Sequence, residues 1–282
     1  MTNTTLALNP NDLGRFVQTE TYRMHFYEAG AGHPIILLHG SGPGATGWSN
    51  FWPNIEHLSA TNRVIAVDMP GWGKSDTEND EFGYTHTESL IRFMDELNIE
   101  KAALVGNSMG GMTSLITAVK HSDRVSHLIT MGAPAPGVNY FGPSDGPSEG
   151  LKILFHAYRE PTAENMKRLV QIMCFDEEMA TDELAQLRSE AALANPAHLE
   201  SFLNRSFDPS FNTIFPQLSN LEVPSLFIHG RDDRVVGFEN SLRLVSLVPN
   251  SRMLVLNRCG HWAQIEYPDE FNRTVASFVA SN

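Results

Sequence analysis

The chain has few cysteines, no long apolar run and a shortage of positive charge, and each shortage excludes a class of protein. Its two cysteines, Cys174 and Cys259, lie far apart in 282 residues. Neither a disulfide framework nor a zinc site is therefore expected, and a reducing, cytoplasmic location is the default. No apolar run approaches the ~18 residues of a membrane span, and the N-terminus lacks the basic start and apolar core of a signal peptide.

Acidic residues outnumber basic ones, which gives a formal net charge of −13. This charge argues against nucleic acid and anionic membranes as partners, because both repel an acidic surface. It also means that an anionic substrate would need local positive charge in its pocket.

Apolar runs alternate with amphipathic segments along most of the chain, which predicts an α/β fold with a mostly parallel sheet flanked by helices. Between about residues 148 and 204 the patterns are helical, with no convincing strand, which predicts an inserted helical lid. The expected organisation is a first core part over 1–137, a lid over 138–206 and a second core part over 207–282. Strands are predicted over 22–28 (as an edge strand), 34–38, 64–68, 102–105, 125–131, 224–230 and 253–256, and a C-terminal helix over 266–280.

The most informative motif surrounds Ser108, which follows a short apolar run and has Gly106 two residues before it and Gly110 two after it. A strand that turns sharply into a helix forces its middle residue into strained backbone geometry, and neighbours at these offsets then have no room for a Cβ atom. The pattern is typical of a nucleophile elbow, which presents a serine hydroxyl at the start of a helix. It predicts a hydrolase with Ser108 as nucleophile.

An acid and a histidine follow in the order that a hydrolase of this type requires. Asp232 and Asp233 come after the predicted strand 224–230, and His261 comes after the strand 253–256. A serine hydroxyl needs a histidine to take its proton, and the histidine needs a buried carboxylate to orient it. Adjacent residues leave an extended strand in opposite directions, so only one of the two can face the histidine. We assign Asp233 to the triad because it is nearer the turn towards Val235 and Val236, and Asp232 to the loop.

The glycine-rich segment 39–44 follows the predicted strand 34–38 and completes the expected machinery. Backbone N–H groups of such a turn can approach a ligand closely. The oxyanion hole of this fold combines the amide after the nucleophile with one from an early loop. We therefore assign the backbone N–H groups of Met109 and Ser41 to the oxyanion hole. The close succession of strand and glycines disfavours a plain flexible loop, and a phosphate-binding loop is less favoured still because no Gly-Lys-Ser/Thr follows.

Five motifs together closely resemble the meta-cleavage product hydrolases, which are α/β-hydrolase-fold enzymes of bacterial aromatic degradation. The motifs are His39–Ala45, Trp48–Phe51, Gly106–Gly111, Gly230–Arg234 and Cys259–Gln264. The resemblance implies hydrolysis of a carbon–carbon bond in a 2-hydroxy-6-oxohexa-2,4-dienoate, giving a 2-hydroxypenta-2,4-dienoate and a carboxylic acid. It further implies a small anionic dienoate as substrate, no metal or organic cofactor, and a homo-oligomer, either a dimer or a larger assembly.

The same resemblance indicates which residues surround the carboxylate and enol end of the substrate. Arg188 would supply a planar, permanently charged donor pair, Trp262 an indole N–H and an apolar wall, and Asn107 amide donors. Three structural alternatives stay open: Trp262 could simply pack, Arg188 could be a solvated helix residue, and Asn50 could cap a helix. The expected substrate-binding set is Gly42, Asn50, Asn107, Arg188 and Trp262.

The expected reaction has two stages, and two other functions share its machinery. His261 first moves the proton that converts the dienol to its keto form, and the C6 carbonyl is then attacked. Either Ser108 forms an acyl-enzyme or His261 activates water to give a gem-diol, and the sequence does not separate the two routes or define the C6 substituent. A carboxylesterase or lactonase would use the same triad, and a ligand receptor could retain the fold without turnover.

Overall fold

One eight-stranded sheet forms the centre of the computed structural model, which describes residues 8–78, 86–135, 146–205 and 210–281. The spatial strand order is β1-β2-β4-β3-β5-β6-β7-β8. Strands β3 to β8 are parallel, and β2 pairs antiparallel with both β1 and β4. The strands are β1 Gly14–Gln18, β2 Arg23–Ala29, β3 His33–Leu38, β4 Asn62–Val67, β5 Ala102–Asn107, β6 Val125–Met131, β7 Ser225–Gly230 and β8 Ser251–Leu256.

Helices cover both faces of this sheet, which is why the central strands are apolar along their whole length. Every residue of β5 and of β7 is buried. Phe51 and Phe271 belong to the core on one face, whereas Phe93 and Leu115 belong to the core on the other. The helices are α1 Pro10–Leu13, α2 Gly47–Ser59, α3 His86–Glu96, α4 Met109–Lys120, α5 Glu149–Arg159, α6 Ala163–Met173, α7 Asp182–Leu193, α8 Pro196–Asn204, α9 Ser210–Thr213, α10 Glu239–Leu247, α11 Ala263–Glu266 and α12 Pro268–Ala280.

The architecture confirms the predicted mostly parallel α/β sheet flanked by helices. The four helices α5 to α8 occupy the sequence region where a lid was predicted, and residues 146–205 contain no strand. The predicted lid boundaries, 137/138 and 206/207, fall outside the described residues and stay predictions.

Two local predictions differ from the structure. The strand at 22–28 is not at the sheet edge, because the unpredicted strand β1 pairs along its outer side. The C-terminal helix is divided at Tyr267 into α11 and α12, with Pro268 as the first residue of α12. Proline is favoured at that position because the first N–H groups of a helix have no intrahelical acceptor.

The parallel strands bring the chemically important segments to one edge of the sheet. The segments 39–44, 108–109, 231–236 and 257–262 follow β3, β5, β7 and β8 respectively. Because carboxyl ends of parallel strands lie at the same edge, these loops meet there, where ligands bind in α/β sheets. No helix in the described part of the chain is long and apolar enough to cross a membrane.

Candidate active site

Ser108 lies between β5 and α4 with the strained backbone that the sequence predicts. Its φ of 51° and ψ of −111° lie outside the regions that non-glycine residues ordinarily adopt. The Ser108 N–H donates to the Met131 carbonyl at 2.9 Å, and its own carbonyl accepts from the Met112 N–H at 2.9 Å. The surrounding ladder and helix therefore hold the strained residue in place.

The two flanking glycines are required by close backbone approach. A Cβ atom on Gly106 would collide with the Gly110 carbonyl, and one on Gly110 would collide with the Leu38 carbonyl of β3. The start of α4 thus packs directly against the strands, and this packing raises Ser108 above the sheet edge.

Asp233 and His261 form a buried hydrogen-bonded pair, with His261 Nδ1 2.7 Å from Asp233 Oδ2. Asp233 Oδ1 accepts from the backbone N–H groups of Val235 at 2.8 Å and Val236 at 2.9 Å. Both oxygens of the carboxylate are therefore occupied, which fixes its orientation towards His261. Asp232 points elsewhere: its Oδ2 accepts from the Arg258 N–H at 2.9 Å.

His229 is a further contact of the Asp233 carboxylate that sequence reasoning missed. Its Nε2 lies 3.2 Å from Asp233 Oδ2, and both side chains have no exposed surface. Burial by itself would raise the pKa of Asp233, but the attraction of His261 and hydrogen bonds from both histidines outweigh it and hold the pKa well below its usual range. In the sequence, a histidine near the end of an otherwise apolar strand is the signal that could have identified His229 as a polar contact.

The predicted oxyanion loop is tied to the core by side chains on either side. Trp72 Nε1 donates to the Gly42 carbonyl at 3.1 Å, and the Gly40 N–H donates to Asn50 Oδ1 at 3.4 Å. Met109 is the first residue of α4, so its N–H has no acceptor within the helix. Trp72 was not singled out from the sequence, although the glycines on both sides of it mark its loop.

One small cavity brings together the predicted substrate-binding residues and His261. Arg188 is 8% exposed and its guanidinium lies over the Trp262 ring at 5.2 Å, so Arg188 is not a solvated helix residue. The lining comprises Gly40, Ser41, Gly42, Ala45, Asn50, Asn107, Met173, Arg188, His261 and Trp262. Ser108 and Met109 follow Asn107 directly but do not line this cavity.

Arg188 carries a buried positive charge that no acidic side chain of the described residues neutralises. No carboxylate pairs with it within 4.0 Å, and its Nε has no hydrogen-bond partner in the described part of the chain. Burial lowers the pKa of the guanidinium, which shows how unfavourable its environment is for a charge. An isolated buried ion costs several kcal/mol unless it is paired, so this site favours an anion.

The structure removes the capping alternative for Asn50 and shows that the amide donors expected of Asn107 are already used. Thr46 is the N-cap of α2 and forms a capping box with Ser49, so Asn50 is not a cap. The Asn107 amide group donates to the Met131 carbonyl and the His261 carbonyl, both at 3.2 Å. Its donors are therefore occupied by backbone, and Oδ1 is buried without a hydrogen-bond partner among the residues that the structure describes.

Comparison with known proteins first defines the class of protein. A family model described as the alpha/beta hydrolase fold matches residues 33–268. The fold and the Ser108 elbow agree with it, so the chain is an α/β hydrolase.

Individual relatives define the family within this class. The 2-hydroxy-6-oxononadienedioate/2-hydroxy-6-oxononatrienedioate hydrolase of Cupriavidus pinatubonensis is 41% identical over 98% of each chain. The 2-hydroxy-6-oxo-6-phenylhexa-2,4-dienoate hydrolase of Comamonas testosteroni is 40% identical over 92% of this chain and 91% of its own. A solved meta-cleavage product hydrolase from Pseudomonas fluorescens IP01 is 36% identical, with a TM-score of 0.85 over 96% of this chain and 98% of that one. The chain belongs to the meta-cleavage product hydrolases.

Proposed function

We propose that the protein hydrolyses a carbon–carbon bond in a 2-hydroxy-6-oxohexa-2,4-dienoate, releasing a 2-hydroxypenta-2,4-dienoate and a carboxylic acid. The observation that carries this proposal is Arg188, a buried cation without an acidic partner among the described residues, in the cavity that His261 also lines. An esterase needs a triad and an oxyanion hole, but it has no need for a buried cation beside them. A dienoate has a carboxylate at one end, which would neutralise this charge.

The names of the relatives support the same reaction class but differ in the group attached to the reacting carbonyl. The Cupriavidus relative is named for a dioate, whereas the Comamonas relative is named for a phenyl-substituted dienoate. The identities of 41% and 40% do not favour one over the other. The proposal therefore specifies the dienoate part that these substrates share and leaves the C6 substituent undefined.

In the first stage the dienol becomes its keto tautomer. The substrate carboxylate pairs with the Arg188 fork, and the Trp262 ring forms a wall beside it. His261 takes the proton of the 2-hydroxyl and returns a proton to C5, which is the carbon that will leave. A carbon leaving group is otherwise very poor, so protonation of C5 makes the cleavage possible.

In the second stage the C6 carbonyl is attacked and the C5–C6 bond breaks. Backbone amides of Ser41 and Met109 hold the oxyanion. When the C5–C6 bond breaks, its electron pair moves through the C3–C4 double bond to the C2 oxygen, which accepts a proton from His261 and gives the 2-hydroxypenta-2,4-dienoate. In one route the Ser108 hydroxyl gives its proton to His261, attacks C6 and forms an acyl-enzyme, which water then hydrolyses. In the other, His261 activates water directly and a gem-diol forms. In both, Asp233 keeps the His261 ring oriented and stabilises its protonated form.

The proposal also covers the lid, the cellular location and the assembly of the protein. We infer that the helices α5 to α8 act as a lid over the cavity, because α7 carries Arg188 into it. A cytoplasmic homo-oligomer, a dimer or larger, completes the proposal, and the two buried free thiols, Cys174 and Cys259, are compatible with a reducing compartment. Sedimentation at several protein concentrations measures the assembly.

Stopped-flow absorbance with the coloured 6-phenyl and 6-methyl dienoates tests the reaction. Wild type should bleach at least one of them rapidly, whereas Ser108→Ala should lose roughly a thousandfold or more in kcat and accumulate an absorbing intermediate. If neither dienoate is bleached while 4-nitrophenyl acetate is cleaved rapidly, the protein is a carboxylesterase or lactonase. Tight binding of both dienoates without products would indicate a receptor.

A further inference from the structure

The C-terminal end of the lid helix α6 is held by both loops that carry the triad histidine and acid. The His261 N–H donates to the Met173 carbonyl at 2.6 Å. Arg234, which follows the triad acid, donates from Nη2 to the carbonyls of Gln171 and, at 3.0 Å, Cys174. A cation at a helix C-terminus is favoured, because the last carbonyls there have no intrahelical donors.

Glu266 joins the histidine loop to the same end of α6 through its carboxylate. Oε1 accepts from the Gly260 N–H at 2.7 Å, and Oε2 accepts from the Phe175 N–H at 2.7 Å. The two oxygens therefore bind different segments of the chain. Oε1 binds the residue before His261, and Oε2 binds the segment that follows α6. A carboxylate can accept at both oxygens, which no uncharged side chain of the same shape can do.

The loop before His261 and the C-terminal end of α6 approach each other closely. Their relative position therefore depends on the groups that join them, among which is the Glu266 carboxylate. A Cβ atom on Gly260 would lie 2.5 Å from the Met173 carbonyl oxygen and 2.9 Å from the Phe175 nitrogen. Burial raises the pKa of Glu266, and the backbone hydrogen bonds from Phe175 and Gly260 oppose this effect. A half-buried carboxylate is unfavourable unless its hydrogen bonds offset the loss of hydration. The bonds from the Gly260 and Phe175 N–H groups therefore stabilise the charged side chain in this position.

We propose that Glu266 is a positioning residue for the reaction, which fixes His261 relative to the lid helices that carry Arg188. Arg188 lies on α7, which packs against α6, and Met173 at the end of α6 lines the cavity with Arg188 and His261. The hydrogen bonds of Glu266 therefore set the distance between Arg188, which binds the substrate carboxylate, and His261, which moves protons. The proposal rests on the role of His261 in the proposed function.

Glu266→Gln tests this because it keeps the shape of the side chain but leaves one acceptor oxygen for two N–H groups. We expect kcat to fall about tenfold for the dienoate and for 4-nitrophenyl acetate, with KM within about twofold, since misplacing a proton-transfer group affects the chemical step. The downfield proton resonance of the His261–Asp233 hydrogen bond should shift or broaden. Glu178→Gln, the same substitution on a neighbouring exposed turn, should leave all three readouts at wild-type values.

Glu266→Asp provides a second test if the glutamine variant fails to fold. It keeps the charge but is one methylene shorter, so it cannot reach both N–H groups, and the same loss of kcat is expected. Wild-type kcat and an unmoved resonance, with only a lower melting temperature, would overturn the proposal and leave Glu266 as a stabilising contact. If wild type cleaves the ester but no dienoate, the proposed carbon–carbon hydrolysis fails, and the ester and proton resonance still decide the role of Glu266.

Discussion

At the scale of single residues, His39 shows how the glycine-rich loop 39–44 depends on a neutral histidine. His39 has no exposed surface; its Nδ1 lies 2.9 Å from the Gly40 carbonyl and its Nε2 accepts from the Met69 N–H at 3.0 Å. Protonation of Nε2 would abolish the second bond. Burial lowers the pKa of His39 to about 4, although the Gly40 carbonyl favours the charged form.

Stability should therefore fall in acid through His39. Below a pH of about 6.5 the unfolded chain binds a proton at this histidine, whereas the folded protein binds it only near pH 4. The free energy of unfolding therefore falls by up to about 3 kcal/mol between these two pH values. His39→Gln should be less stable at pH 7, with a smaller further loss down to pH 4.5. Urea unfolding of both proteins at several pH values measures this, and parallel profiles would contradict it.

A second residue-scale prediction concerns the two adjacent aspartates. Asp233→Asn should reduce kcat by about 10³–10⁴-fold, because an amide favours the wrong tautomer of His261, while the fold is retained. Asp232→Asn is the matched control and should change kcat by less than about threefold, since Asp232 contacts the Arg258 backbone. Steady-state kinetics with the dienoate compares them, and equal losses in both variants would refute the assignment.

At the scale of elements, we expect Arg188 on the helix α7 to lower the stability of the fold and to strengthen binding of the dienoate. Arg188→Met should raise the free energy of unfolding by about 1–2 kcal/mol, because an unneutralised buried ion is replaced by an apolar side chain. It should also raise KM for the dienoate while leaving KM for 4-nitrophenyl acetate unchanged. Arg168→Met, on the exposed side of α6, is the control, and a similar rise in dienoate KM there would contradict a specific carboxylate contact.

Which elements the sequence predicts depends on how each is buried. The fully buried strand β5 and the amphipathic helix α6 emerge from the hydrophobic pattern of their own residues. Strand β1 was missed because its residues are partly exposed and its pairing with β2 is its main support. A strand at a sheet edge has little apolar pattern of its own, so only the neighbouring strand identifies it.

At the scale of the whole molecule, a buried ion pair joins the segment that follows α8 to the loop that follows β4. Arg205 follows α8, and its Nη1 lies 3.1 Å from Glu78 Oε2, with side chains 9% and 8% exposed. Its guanidinium also lies 4.6 Å from the ring centre of Phe202 and 4.9 Å from that of Trp72. This contact links the segment after α8 to the loop from which Trp72 donates to the Gly42 carbonyl.

Breaking this pair on one side should destabilise the protein more than removing both charges. Arg205→Met leaves Glu78 buried with less neutralising charge and should cost about 3 kcal/mol. In the double variant with Glu78→Gln, part of that loss should be recovered, which a double-mutant cycle on unfolding free energies measures. Additive losses would show that the two charges are not coupled.

The sequence by itself determined the order and type of the chemical groups. Gly106, Ser108 and Gly110 specify a strained turn through neighbours within a few residues, and alternation along a strand separates Asp233 from Asp232. These constraints are local, because backbone sterics act over short chain distances. The family resemblance of the motifs rests on the same local segments.

Only the tertiary structure decided which distant groups meet. Glu266 accepts from Phe175 across 91 residues, Arg205 pairs with Glu78 across 127, and the Asn107 donors are occupied by the backbone, including the His261 carbonyl 154 residues away. Such contacts depend on how helices and strands pack and on which buried polar groups must be satisfied. Local pattern does not contain that information, because a buried polar side chain takes whatever partner the folded chain places beside it.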